Sequence, residues 1–546
     1  MKLATRLSAA TLGVLLVAGT APPAAAGDDL RLIEALQRRD TATARKLLGD
    51  GMDVNVRRAD GATALAWAAH WDDLETAGLL LAAGADPNAA NALGVTPLML
   101  AATNRSGRLA ALLLDAGADP RAARANGETA LMHAARAGAV DVARALVAHG
   151  ADVNATTSRG FSPLMFAAVE GHAAVAGVLV ETGADLAART ESIVPRRMGY
   201  RSSAANDGNP RRLRDNQALL MSQLQQDGDL EPRRPQGGFT PLLYAAMVGA
   251  ADTVRLLVSA GADVNETAAD GTTPLIVTLQ RGIEEGLWRL SGGRNQDVAA
   301  FLLARGADPN LAAAGYTALH VASATGQREA VEALLAHGAE PNDTQLRMPQ
   351  RFINALIPGD PYLTTGWVSQ IGATPFMLAA KSVDAPMMRL LLERGADPLL
   401  TAQGGANALM LAAGLAKRHA TDVGYFIWTE DRAIEALELA IEAGLDVNTA
   451  TDRGETALHG ATRHAAHRVI RFLVEQGADL DARTWADQTP LRLAEGYLYS
   501  GTYVSYPATA ALLRELGADP RAGTQLNFGL TSYGDKDAVT GGGPSR

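Results

Sequence analysis

Hydrophobic positions in this chain fall in short paired runs set between polar, glycine-containing stretches. The first run of a pair is compact, as in Thr96-Pro97-Leu98-Met99-Leu100-Ala101-Ala102, Ser162-Pro163-Leu164-Met165-Phe166-Ala167-Ala168 and Thr240-Pro241-Leu242-Leu243-Tyr244-Ala245-Ala246. A turn such as Gly171-His172 follows, then a second apolar run, for example Val175 to Val180. Each run predicts a short helix. Thr, Ser or Asn at the start of the first run suits an N-cap, because its side-chain oxygen accepts a backbone amide that has no partner inside the helix. Proline at the next position costs little, since its missing N–H is one of those unpaired amides. Leucine and paired alanines then make a thin apolar face that lets another helix approach closely. The second run ends at a glycine, which tolerates the left-handed conformation that closes a helix.

That glycine opens a phrase, Gly-Ala-Asp-Pro/Val-Asn or a close variant, found at Gly51, Gly84, Gly117, Gly150, Gly183, Gly261, Gly306, Gly338, Gly395, Gly444, Gly477 and Gly517. The first five are 33 residues apart. The helix-opening phrase begins at Thr63, Thr96, Thr129, Ser162, Thr240, Thr273, Thr317, Thr374, Asn407, Thr456 and Thr489. Units of this size cannot bury an apolar face alone, so they stack and share one core. The two phrases and their period resemble the ankyrin repeat over most of the chain. The resemblance implies an all-α ankyrin-repeat solenoid of helix–turn–helix units joined by hairpin-like fingers, and a protein that binds other proteins through its concave face.

Departures from the period divide the chain. Residues 27–50 read as a degenerate capping repeat, 51–187 as regular repeats, and 188–238 as an arginine-rich insertion in a finger. Repeats resume over 239–341, with an edge insertion near 282–295. An aromatic finger insertion, 342–371, precedes repeats over 372–521 with edge insertions near 415–432 and 495–508. Residues 522–546 read as a flexible tail. Between Arg189 and Gly238 nine arginines face six carboxylates, a local balance of +3.

The N-terminus adds an address. Lys2 and Arg6 precede an apolar run from Leu7 to Ala18, then Ala24-Ala25-Ala26 and polar Gly27-Asp28-Asp29, the three parts of a secretory signal peptide over 1–26. Export to the periplasm or beyond is therefore expected. The run is too short to span a bilayer, which takes about 20 residues, so no membrane span is expected after cleavage. Losing Lys2 and Arg6 takes the formal charge from −10 to −12. Such an acidic chain is a poor general nucleic-acid binder. There is no cysteine, which excludes disulfides and thiolate chemistry.

Carrying the family's binding surface over by position selects the residue before each cap and those seven and eight after it. These include His70, Trp71, Asn104, Arg136, Phe161, Glu170, Phe239, Arg281, Tyr316, Lys381, Arg463 and His464. The insertions add Arg196, Arg197, Arg211 and Arg212, which suit an acidic partner or a polyanion such as an envelope glycan, and the aromatics Trp367 and Trp428. His133, His320 and His459 occupy the histidine position of the repeat phrase, where the family uses it for hydrogen bonding. His464 and His467 lack a carboxylate at a matching helical spacing, so no metal is expected. No nucleophile elbow, phosphate-binding loop or zinc-protease motif is present. The expectation is a non-catalytic scaffold without cofactors; an enzyme would need its acid and base within the insertions.

Overall fold

A computed structural model of the protein describes residues 30–193, 236–280, 292–346, 371–415, 428–499 and 502–523. Twenty-four helices lie among these residues, arranged as pairs in two compact units. The first unit holds seven pairs and ends at Asp308; the second begins at Pro309 and holds five. The architecture is the all-α repeat solenoid that the periodicity implies. Short strands accompany it: Ser192–Ile193 pairs with Gln236–Gly237, and Tyr497–Tyr499 with Thr502–Val504.

The first helix of a pair is commonly seven or eight residues and the second nine, as in Pro97–Thr103 and Gly107–Asp115. Thr63, Thr96, Thr129, Ser162, Thr240, Thr374, Asn407 and Thr489 each accept the amide three residues on, as N-caps do. The glycines of the closing phrase all have φ between +76° and +105°. Leu98, Leu131, Leu164 and Leu242 and the paired alanines Ala101–Ala102, Ala134–Ala135, Ala167–Ala168 and Ala245–Ala246 are buried between first helices. Two second helices are longer, Gly292–Ala304 and Glu430–Glu442, at 13 residues each. Both follow an edge insertion, so part of the added chain extends a helix already required by the repeat.

In seven of the phrases the asparagine ties one unit to the next. Asn55 donates through Nδ2 to the Gly84 carbonyl (2.9 Å) and accepts through Oδ1 from the Asp86 amide (2.8 Å). Asn88, Asn154, Asn265, Asn310, Asn342 and Asn448 do the same with the following phrase. One amide side chain thus satisfies a carbonyl at a helix end and a turn amide in the neighbouring unit, groups that the helix leaves unpaired. At Gly117 and Gly477 the fifth residue makes half of the bridge, Arg121 donating to the Gly150 carbonyl and Asp481 accepting from the Asp519 amide, and at Gly183 and Gly395 it is Ala187 or Leu399, neither of which can form it.

Buried histidines join the caps in two units. The amides of Thr317 and Thr456 donate to Nδ1 of His320 and His459, both at 3.2 Å. A ring accepting at Nδ1 is the neutral form. Burial favours it, pushing His320 down to about 4 and His459 to about 3.

Candidate protein interface

Phe161 and Phe239 immediately precede the caps Ser162 and Thr240 of neighbouring first helices. Phe166 and Tyr244 lie four residues beyond the same caps, one turn into each helix. Helical geometry brings the two positions together on the finger side. The Phe166 and Phe161 rings stack at 5.5 Å between centroids, Phe161 meets Tyr244 at 5.5 Å, and Tyr244 meets Phe239 at 5.2 Å. All four rings are half-buried. They form a continuous aromatic strip.

Arg136 closes one end, its guanidinium carbon 4.4 Å from the Phe166 centroid. Its Nη2 also donates to Glu128 at 3.1 Å, and Glu128 pairs with Arg124 as well. Burial raises the Glu128 carboxyl, but the Asn126 hydrogen bond and the Arg136 charge outweigh it and leave the group below its usual range. Arg136 is thus held as a cation against an aromatic face, a contact worth about 0.5–1 kcal/mol at partly exposed sites.

The other end of the strip abuts the root of the 188–238 insertion. Thr190 and Phe239 are locked together: the Thr190 amide donates to the Phe239 carbonyl (3.0 Å) and the Phe239 amide to Thr190 Oγ1 (2.9 Å). Arg189 Nη1 donates to the carbonyls of Gly238 (3.0 Å) and Thr267 (2.6 Å). Gly237 has φ +101°, and a Cβ there would stand 2.2 Å from the Glu191 carbonyl oxygen. No other residue fits this crossing without moving the backbone.

The remaining positions selected from the sequence have other surroundings. His70 and Trp71 lie in an N-terminal cluster with Trp67. The Arg39 guanidinium carbon sits 4.0 Å from the Trp71 centroid, and Trp71 helps line a cavity of about 180 Å³ beside the capping repeat. Asn104 is exposed but occupied, donating to the Ala69 and His70 carbonyls of the preceding unit at 3.0 and 2.9 Å. His464 donates likewise to Gly414 (2.9 Å) and faces Trp428, whose own Nε1 donates to the Ala412 carbonyl (3.2 Å). Glu170 is exposed at the end of Pro163–Glu170, and Lys381 half-buried at the end of Pro375–Lys381.

Two expectations are corrected. Tyr316 is 4% exposed and Arg463 7%, so neither presents a surface for a partner; Arg463 is instead half of a buried ion pair with Glu455. Arg196, Arg197, Arg211, Arg212, Arg281 and Trp367 lie outside the described residues. Phe166 and Tyr244 were not selected as site residues from the sequence. The available signal was an aromatic at the same position of consecutive units, where Thr96 is followed four residues on by Leu100. Among the described residues no His, Cys, Asp or Glu group of three or more is placed to hold a metal ion, and no helix is long and apolar enough to cross a membrane.

A family model described as ankyrin repeats (3 copies) matches residues 32–124, 98–190, 213–311 and 287–345, together more than half of the chain. A single-repeat model, ankyrin repeat, matches 371–403 and 453–485. Over 207 residues the chain is 33% identical to the nuclear factor NF-kappa-B p105 subunit of Gallus gallus, covering 37% of this chain and 16% of that protein. It is 24% identical over 266 residues to the E3 ubiquitin-protein ligase KEG of Arabidopsis thaliana, covering 44% and 15% respectively. It is 34% identical over 104 residues to the ankyrin repeat, SAM and basic leucine zipper domain-containing protein 1 of Dasypus novemcinctus, covering 19% and 20%. The chain therefore spans between 15% and 20% of the length of these relatives.

Proposed function

The chain belongs to the ankyrin-repeat family, whose modules bind other proteins, and we propose that it is a non-catalytic scaffold of the cell envelope, exported by its N-terminal signal, that holds a partner protein on the strip from Arg136 to Phe239. The observation that carries this reading is the strip itself: four half-buried rings in unbroken contact across neighbouring units, with a cation at one end. Aromatic and arginine side chains are the commonest binding anchors. The rings are already ordered by contact with one another, so a partner gains their area without the entropic cost of fixing them.

The test is affinity capture from an envelope extract by the mature chain beginning at Gly27, beside F161A/Y244A. A partner retained by the first and lost by the second, with the helical content of both alike, is the expected result. Retention by both would remove the strip from the reading. Recovery of glycan or nucleic acid alone, abolished by salt, would favour the arginine-rich insertion and a polyanion instead. Fractionation with N-terminal sequencing checks the address, and a start at Gly27 is expected.

A further inference from the structure

Glu266 follows the bridging Asn265, at a position filled elsewhere by Ala89, Ala122 and Ala155. It is 9% exposed, and its Oε1 accepts the hydroxyl of Thr240, the residue that caps the helix bearing Tyr244. A carboxyl buried beneath an N-cap is one that the repeat does not require. The charged groups acting on it are Arg189, from the preceding finger, and Asp263, from its own turn. Arg189 gives Nη1 to the carbonyls of Gly238 and Thr267. It thereby ties the backbone just before the Phe239–Thr240 cap to the next finger, at the residue after Glu266.

We propose that Glu266 is a pH sensor for the strip: protonated, it leaves Arg189 on its two carbonyls and Phe239 in line; ionised, it draws Arg189 away and loosens that end. Its effect on partner affinity rests on the strip being the binding face, whereas the clasp itself does not. Burial raises the carboxyl to about 7, and Asp263 adds to the rise, while the Thr240 hydrogen bond and Arg189 oppose it. Half-ionisation near neutrality places the change where an envelope protein meets it. Arg189 has a reason to move, because a buried carboxylate demands a charged partner more strongly than a peptide carbonyl does.

Phe161 supplies an internal reference. Its amide donates to Thr157 Oγ1 at 3.0 Å, the same bond that Phe239 makes to Thr190, and Ala188 stands at the position that Glu266 fills in the later phrase. The experiment is amide hydrogen exchange on the full chain between about pH 6 and pH 8, read as the protection of Phe239 relative to Phe161, which cancels the intrinsic pH dependence of exchange. In the wild type this ratio falls roughly tenfold or more as local opening becomes easier. It stays level in E266Q, which keeps the hydrogen-bonding shape without the charge, and is low throughout in R189A. A level ratio in the wild type, or an equal fall in E266Q, overturns the sensor. Should the ratio fall as expected while affinity for a captured partner stays constant with pH, the clasp survives and the strip is not the binding face.

Discussion

Glu128 with Arg136 and Glu455 with Arg463 are the same ion pair drawn twice, each joining the residue before a cap threonine to the seventh residue after it. In the first unit the side chains are 12% and 34% exposed, and Arg136 spreads over Phe166. In the second they are 5% and 8% exposed. The neighbouring segments of chain differ as well. Beside Arg136 the repeat keeps its ordinary spacing, with Thr96 and Gly117 21 residues apart. Beside Arg463 the preceding unit carries the 415–432 insertion. Leu415 at its root crosses the helix at Gly460, where a Cβ would come within 2.9 Å of the Leu415 amide nitrogen. Trp428, at its far end, covers His464. Repeat register thus decides which side chains meet, while the surroundings of each pair differ, leaving one partly exposed and the other buried.

Removing one partner separates the two cases most sharply. R463A leaves Glu455 buried without its cation, a loss of about 3–5 kcal/mol, whereas R136A costs within about 1 kcal/mol because its pair is partly solvated. Hydrogen exchange in Ala457–Arg463 and in Ala130–Ala137 reads each locally. Equal losses would mean that burial does not distinguish the pairs.

Acid gives the next effect. His459, beneath the sealed pair, has its folded pKa pushed from 6.5 to about 3, first by burial and then by Arg463. The folded state therefore binds fewer protons than the unfolded chain. The contribution is complete above pH 6.5 and is lost as pH falls towards 3, by an amount of order 5 kcal/mol at the limit. His133, depressed to about 4 by burial, has Glu128 pulling it back up. The second unit should accordingly lose exchange protection first on acidification, and H459Q should flatten that response.

Affinity should run the other way. F161A or Y244A is expected to weaken partner binding about tenfold or more, near 1.4 kcal/mol. E455L/R463M, which replaces the sealed pair with apolar side chains, is expected to leave affinity unchanged. An affinity loss in the double variant would place recognition in the second unit. The smallest effect tests the frame common to both units: N154A and N448A should each cost about 1 kcal/mol in thermal or denaturant unfolding.

Most of this frame was legible in the chain. Caps, N1 prolines and closing glycines act within a few residues, so the local sequence determines them. Trp71 shows the limit: its position selects an outward face, but Arg39 from the capping repeat lies across it. Tyr316 and Arg463, selected in the same way, are buried. Periodicity says which way a side chain points and carries no information about what a nonperiodic segment lays over it. The strip was half legible. Phe161 and Phe239 stand at outward positions, whereas Phe166 and Tyr244 occupy one filled by Leu100 in the Thr96 unit, and only ring size brings them into contact with the outward pair.

The asparagine bridges carry a consequence for how such a chain acquires new parts. Asn154 reaches its glycine across 29 residues, Asn265 across 41 and Asn342 across 53, with Nδ2–O distances of 3.1, 3.1 and 3.0 Å. The clamp is indifferent to the length of chain it closes over. Closing a loop of nearly twice the length costs only about 0.6 kcal/mol in chain entropy, less than one such bridge returns. A segment of a few dozen residues can therefore enter at a finger or a turn with almost no thermodynamic resistance, leaving the pitch of the stack unaltered. At these two junctions added chain and scaffold become separately editable, and the asparagine is the fastener that keeps one from disturbing the other; the insertions at 188–238 and 415–432 follow Ala187 and Leu399 and enter without it.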